Sequence, residues 1–297
     1  MDSYAIILAG ITLLAAIVNG ALGYGFSSIT VPVALLFLAN RVLNPAIVLV
    51  EVVLNAYVLF NNRDAVVRVW PRALPIVIGL VPGIAIGTVM LSRVDPAWLR
   101  FATFSLLLPL ILIQAAGYRR PIRSERAVGL GFGGGLGVLY SVTTISGPPL
   151  AILLNNQGLA KREFRAALGV VRLAESSMTA VAYAYAGLFT AESLSLLPLI
   201  VPSIAIGVPL GALIIRRIAA ETFRRVCMSF DACVVAFGLS RLLQELALVE
   251  TGAAYGLFGA VALVNGWILY RFFSGPMLLA DGTVERVQAA GPKAADR

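Results

Sequence analysis

Apolar stretches of about 20 residues, each bounded by charge, Gly or Pro, follow one another along the whole chain. They predict spans at Tyr4–Leu22, Pro45–Asn61, Ala73–Leu91 and Trp98–Tyr118 in the first half. The second half reads Ala127–Tyr140, Phe164–Leu188, Leu194–Ile215 and Thr222–Leu246, and a last span, Gly252–Phe273, has no counterpart. Two short apolar pieces, Ser28–Ala39 and Pro149–Asn155, each follow a span that breaks at a run of Gly, Ser, Thr and Pro.

The two breaks are copies of one theme. Gly20-Ala-Leu-Gly-Tyr-Gly-Phe-Ser-Ser-Ile-Thr-Val-Pro32 stands in the first half and Gly137-Val-Leu-Tyr-Ser-Val-Thr-Thr-Ile-Ser-Gly-Pro-Pro149 in the second. Gly83-Ile-Ala-Ile-Gly87 matches Gly207-Val-Pro-Leu-Gly211, and the loop Ser92–Arg100 matches Arg216–Arg224 without a gap. The expected organisation is a first transmembrane repeat (1–118), a cytoplasmic linker (119–126), a second repeat (127–250), an extra span (251–273) and a disordered tail (274–297). The fold class is an all-α polytopic membrane protein whose halves each carry a broken, hairpin-like helix.

Ala127 to Asn155 as one helix would be roughly 43 Å long, against a hydrocarbon core of about 30 Å. Arg119, Arg120, Arg123 and Arg126 precede this segment, and Lys161, Arg162 and Arg165 follow it. A hairpin keeps both clusters inside, as the positive-inside rule prefers, so the two pieces should meet at the Thr143–Pro149 turn. Arg63, Arg68, Arg72, Arg216, Arg217, Arg224 and Arg225 then also fall inside, with the C-terminus cytoplasmic, while Arg41, Arg93 and Arg100 fall outside against the rule. Each half then makes an odd number of passages, which inverts one relative to the other; broken segments that cross only once would instead leave the halves parallel.

Composition agrees: 59% of residues are hydrophobic and 13% charged, and mean hydropathy is +0.91. The net charge of +8 sits in short loops between spans, which points to membrane topology rather than nucleic acid. There is no His, and Cys227 and Cys233, six apart on one helix, do not share a face, so neither a metal site nor a cofactor is expected. Met1-Asp2 lacks a basic stretch, so the first apolar segment reads as a retained span. No Walker pattern is present, and the scarcity of nucleophile–base pairs argues against an enzyme.

The glycine-rich breaks, Gly20–Pro32 and Gly131–Pro149 with its Ser-Gly-Pro-Pro core, resemble the sulfite exporter TauE/SafE family, and the resemblance runs from about Leu8 to Phe273. It implies a plasma-membrane permease that moves a small sulfur-containing anion. An anion channel or a membrane-embedded enzyme is the alternative. Partners are the anion and the lipid bilayer; lipid-facing helix surfaces leave self-association open.

Unwound backbone at membrane depth must line a cavity or pack on protein, and a half-helix N-terminus suits an anion. Ser146 and Gly147 lead into the second half-helix, after Thr143 and Thr144; Ser27, Ser28 and Thr30 hold the equivalent place in the first. Ser/Thr hydroxyls add donors, and glycine allows close approach. Gly131, Gly133, Gly134 and Gly135 read as helix-packing residues.

Ionisable residues within spans are functional candidates. Arg172 suits an oxyanion through its planar fork, and Glu175, three residues on, is its expected resting partner. Repeat alignment sets Asn55 opposite Arg172. Glu51 has no basic residue near it in sequence and is a candidate proton carrier, as are Glu175 and Asp231.

Overall fold

The computed structural model describes residues 3–116, 125–155, 159, 161–214, 220–274, 277–278 and 284–285. The first half comprises α1 (Ser3–Leu22), α2 (Phe26–Ala34), α3 (Asn40–Asn61), α4 (Val66–Arg93) and α5 (Pro96–Ala116). The second comprises α6 (Glu125–Thr143), α7 (Gly147–Asn155), α8 (Lys161–Tyr185), the single turn α9 (Ala191–Leu194), α10 (Leu197–Ile214) and α11 (Ala220–Glu245), and α12 (Thr251–Ser274) follows. Seven of the described helices are long and apolar enough to cross a membrane. In the tail, Met277–Leu278 and Val284–Glu285 pair as a two-residue antiparallel ribbon. Most of the expected linker lies outside the described residues, as do Arg216 and Arg217.

Helix α4 starts at Val66 rather than Ala73, because Arg68 and Arg72 occupy helical positions that a charge-bounded span leaves out. Helix α2 starts at Phe26 rather than Ser28, directly after Gly25.

The repeated glycines explain how the halves join. A Cβ on Gly83 would sit 2.1 Å from the Gly134 carbonyl oxygen, and one on Gly87 2.7 Å from the Ser141 Cβ. Their counterparts do the same across the molecule: a Cβ on Gly207 would lie 2.6 Å from that of Ala16, and one on Gly211 1.9 Å from the Ile17 oxygen. Helix α4 therefore lies backbone-to-backbone along α6, and α10 along α1, each helix packing on the opposite half. Both pairs run parallel, since Gly79 meets Leu130 and Gly87 meets Val138, while Ser203 bonds Ala9 and Gly211 meets Ile17. Of the run read as packing glycines, a Cβ on Gly133 would meet α4 backbone, one on Gly134 would lie 3.7 Å from the Gly79 oxygen, and ones on Gly131 and Gly135 would meet open space.

The two counterpart pairs α3/α8 and α5/α11 run antiparallel. Leu59 packs on Gly169 while Asn55 bonds Arg172 and Ser176; Phe104 packs on Gly238 while Arg100 bonds Glu245. Helix α8 runs with α4 and α6: Glu163 near its start pairs with Arg68, and Tyr183 near its end donates to Ser141, which abuts Gly87. Since α6 and α8 point the same way, the chain between them doubles back, which is the expected hairpin. Helix α2 likewise folds back on α1.

Two arginines that fit the positive-inside rule poorly have protein partners. Arg41 donates from Nε to the Leu91 carbonyl at 2.7 Å and from Nη2 to that of Val94 at 2.9 Å, closing the end of α4. Arg100 pairs with Glu245 at 2.8 Å.

Candidate functional site

The first break is made by Gly23 and Gly25, at φ 85° and 106°. The second places a threonine, Thr144, at φ 57°. A β-branched residue in this region is strained, so the surroundings must hold it there. The carbonyls ending α6 are accounted for one by one. Leu139 accepts from the Thr143 hydroxyl at 2.7 Å, Tyr140 from the Thr144 amide at 2.6 Å, and Thr143 from the Thr144 hydroxyl at 2.7 Å. Ser141 accepts from the Tyr183 hydroxyl, and Val142 from the side-chain amides of both Asn40 and Asn44, at 3.1 and 2.6 Å. The Thr143 hydroxyl oxygen accepts the Ile145 amide at 3.0 Å. Unwound backbone is thus held by side chains of α3 and α8, as a medium without water requires.

Donors at the breaks are less fully used. Helix α2 opens with the amides of Phe26, Ser27 and Ser28, which precede the first intrahelical bond, Ile29 to Gly25. The hydroxyls of Ser27, Ser28 and Thr30 are buried without a hydrogen-bond partner. Helix α7 is the poorer donor, because Pro148 and Pro149 have no N–H. Gly147 brings the breaks together: a Cβ there would lie 3.2 Å from the Tyr24 ring and 3.8 Å from the Ser28 Oγ. Its small size serves this contact between the two turns.

Beside the second break sits a charged cluster. Arg172 Nη2 donates to Glu51 Oε1 at 2.6 Å, and the Tyr140 hydroxyl donates to Glu51 Oε2 at 2.8 Å. Ser146 donates its hydroxyl to Glu175. Asn55 donates to the Arg172 carbonyl at 3.3 Å and to the Ser176 Oγ at 3.4 Å. Glu51 and Glu175 are 0% exposed and Arg172 2%, so the cluster is closed to solvent. Nε and Nη1 of Arg172 and Oε1 of Glu175 have no partner, and neither does the nearby Thr179 hydroxyl.

Two expectations are corrected here. The resting partner of Arg172 is Glu51 from the opposite half, not Glu175; the long guanidinium crosses to α3, while the shorter Glu175 meets the Ser146 hydroxyl at the break. Glu51 accordingly has a counter-charge, which sequence neighbourhood alone hides. Asp231 is buried on α11 with both carboxylate oxygens unpartnered, and among the described residues no hydrogen bond joins it to the cluster. Cys227 and Cys233 are free thiols. Among the described residues no three His, Cys, Asp or Glu side chains gather to hold a metal ion.

Sequence reasoning passed over Tyr140, Ser176, Tyr183, Asn40 and Asn44. Ser176 carried a signal, since it adjoins Glu175 in the same span.

Seven apolar spans and two facing helix breaks with an arginine buried beside them define a multi-pass membrane transporter. The chain belongs to the sulfite exporter TauE/SafE family, whose model matches residues 8–238. Comparison with curated proteins and with solved structures finds no match.

Proposed function

We propose that this protein is a secondary transporter of a small sulfur-containing anion, held at Arg172 between the two breaks. The observation that carries the reading is the half-used fork of Arg172. Two of its donor nitrogens, Nε and Nη1, are buried with nothing to bond, and guanidinium binds oxyanions through such parallel donors. Ser146 and Gly147 continue the row of contacts from Glu175 to Ser28, so the free donors of Ser27, Ser28 and Thr30 lie on the far side of the same junction. Thr143 and Thr144 shape the second break, and Asn55 steadies the α8 backbone at Arg172.

Glu51 acts as a tethered anion that occupies Arg172 at rest. An incoming substrate competes with it, and two carboxylates plus an anion around one guanidinium leave surplus negative charge in a dry site. A proton taken up by Glu51 lowers that surplus by one charge and frees the fork, which couples anion and proton movement. Glu175 is a second proton carrier, and Asp231, apart from the cluster, a third.

Inversion of the two halves is supported by the antiparallel runs of the counterpart pairs α3/α8 and α5/α11. The location is the plasma membrane, with the C-terminus cytoplasmic, as the clustering of Arg and Lys favours.

The test is thermal unfolding of the purified protein with sulfite, sulfate, thiosulfate, sulfonates and carboxylates, because a ligand of the folded state raises its stability. A midpoint raised by a sulfur oxyanion in the wild type and not in Arg172→Lys supports the reading. An equal rise in both removes Arg172 from the site.

A further inference from the structure

In space the counterpart of Arg172 is Glu51, one helical turn from Asn55, the residue that the repeat alignment sets opposite it. The offset of 121 residues within this pair also separates Asn55 from Ser176. It carries over to the ends of α1 and α6. Gly20 abuts Val208 as Ser141 abuts Gly87, and the Gly23 amide bonds the Asn19 carbonyl at 2.7 Å as the Thr144 amide bonds that of Tyr140 at 2.6 Å. Asn19 is therefore the counterpart of Tyr140. The halves are unlike elsewhere, with α2 lying against α1 while α7 leans on α8. They also differ in one spacing. Arg165 of α8 donates to the Ala21 carbonyl at 3.3 Å where Asn44 of α3 donates to that of Val142 at 2.6 Å. The first contact takes a longer side chain because α1 stands off from α8, whereas α6 packs on α3.

On the narrow side Tyr140 spans from α6 to Glu51 and bonds its Oε2. On the wide side Asn19 lacks the ring that makes such a reach. It is 3% exposed, and among the described residues no hydrogen bond reaches its side-chain amide. Nε and Nη1 of Arg172, itself 2% exposed, have no acceptor either. Buried donors without acceptors are costly, and here two sets of them belong to neighbouring helices. We infer that Asn19 is an anion-binding residue. The substrate's oxyanion lies in the gap between α1 and α8, in the place that the Tyr140 ring fills beside Glu51. It accepts from the Asn19 amide on one side and from the free Arg172 nitrogens on the other. Gly23 and Arg165 are half-buried, so the gap meets solvent at the end where α8 begins. This inference rests on the carrier reading and adds a second side chain to its site.

The test titrates sulfite, thiosulfate and methanesulfonate into the purified full-length protein and reads Kd from the rise in unfolding midpoint. Wild type is compared with Asn19→Ala, Asn19→Tyr and Arg172→Lys. Asn19→Ala should raise Kd about tenfold to a hundredfold, the range for a hydrogen bond to a charged group. Its midpoint without ligand should stay near that of wild type, since the amide has no bond within the protein to lose. A merely structural asparagine would do the reverse, lowering the ligand-free midpoint and leaving Kd alone. Asn19→Tyr should abolish the anion's effect, because the ring takes its place, and raise the ligand-free midpoint, because the hydroxyl gives Arg172 an acceptor. An unchanged Kd in Asn19→Ala overturns the inference, as does a wild-type response in Asn19→Tyr; should tyrosine prevent folding, alanine decides alone. If Arg172→Lys loses the response while Asn19→Ala keeps it, the inference falls and the carrier reading stands. A wild type that none of the three anions stabilises sinks both.

Discussion

Arg172 and Glu51 meet across the two halves, Nη2 to Oε1 at 2.6 Å, with both side chains sealed from solvent. Neither is explicable alone: an unpaired charge at this depth is costly, and the pair still leaves two guanidinium nitrogens without acceptors. The contact joins α3 to α8, so whatever loosens it also loosens the packing of one half on the other.

Removing one partner should separate stability from function. Arg172→Ala strands Glu51 and should cost roughly 3–5 kcal/mol, read as a lower unfolding midpoint, together with loss of anion flux. Arg172→Ala/Glu51→Gln removes both charges and should regain much of that stability while staying inactive. A double variant that recovers transport would show that the anion is held elsewhere.

Glu51→Gln keeps the shape of the side chain but cannot release or take up a proton. Flux through reconstituted protein should then respond less steeply to an imposed pH gradient, while inward and outward exchange of anion continues. Tyr140→Phe removes the hydrogen bond to Glu51 Oε2 and should cost about 1.5–3 kcal/mol, the range for a bond to a charged group. It should shift the pH at which flux is half-maximal without changing the maximal rate, which a purely structural tyrosine would not do.

How much of this was legible in the chain divides along physical lines. The helix breaks were, because Gly23, Gly25 and the Ser146–Pro149 run alter local backbone chemistry wherever they stand. So was the close helix packing, since Gly83, Gly87, Gly207 and Gly211 each answer the same local need for close backbone approach. The partner of Arg172 was not: Glu175 is three residues away, Glu51 is 121 away, and only tertiary packing decides between them. Asn40 and Asn44 stayed hidden for the same reason, as their partner, Val142, lies about a hundred residues on, with separations of 102 and 98.

That pair of asparagines makes a further prediction. Both donate to one carbonyl, so losing either leaves Val142 satisfied by the other. Asn40→Ala and Asn44→Ala should each cost little, about 1 kcal/mol. Together they strand a buried acceptor at a strained break, and the double variant should exceed the sum of the singles. Additive losses in thermal unfolding would show that the Val142 carbonyl finds another donor.

The glycines give the sharpest contrast between packing and open space. At Gly211 an added Cβ would fall 1.9 Å from the Ile17 carbonyl oxygen, and backbone cannot step aside as a side chain can. Gly211→Ala should therefore force α10 away from α1 and destabilise by about 1–3 kcal/mol or more. At Gly135 an added Cβ meets nothing within 4 Å, and alanine is the better helix former, so Gly135→Ala should be neutral or stabilise by up to about 1 kcal/mol. Thermal unfolding of both variants in one detergent is the measurement. Equal midpoints would mean that the α1–α10 contact tolerates a separation of the helices, and the repeated glycine spacing would lose its packing rationale.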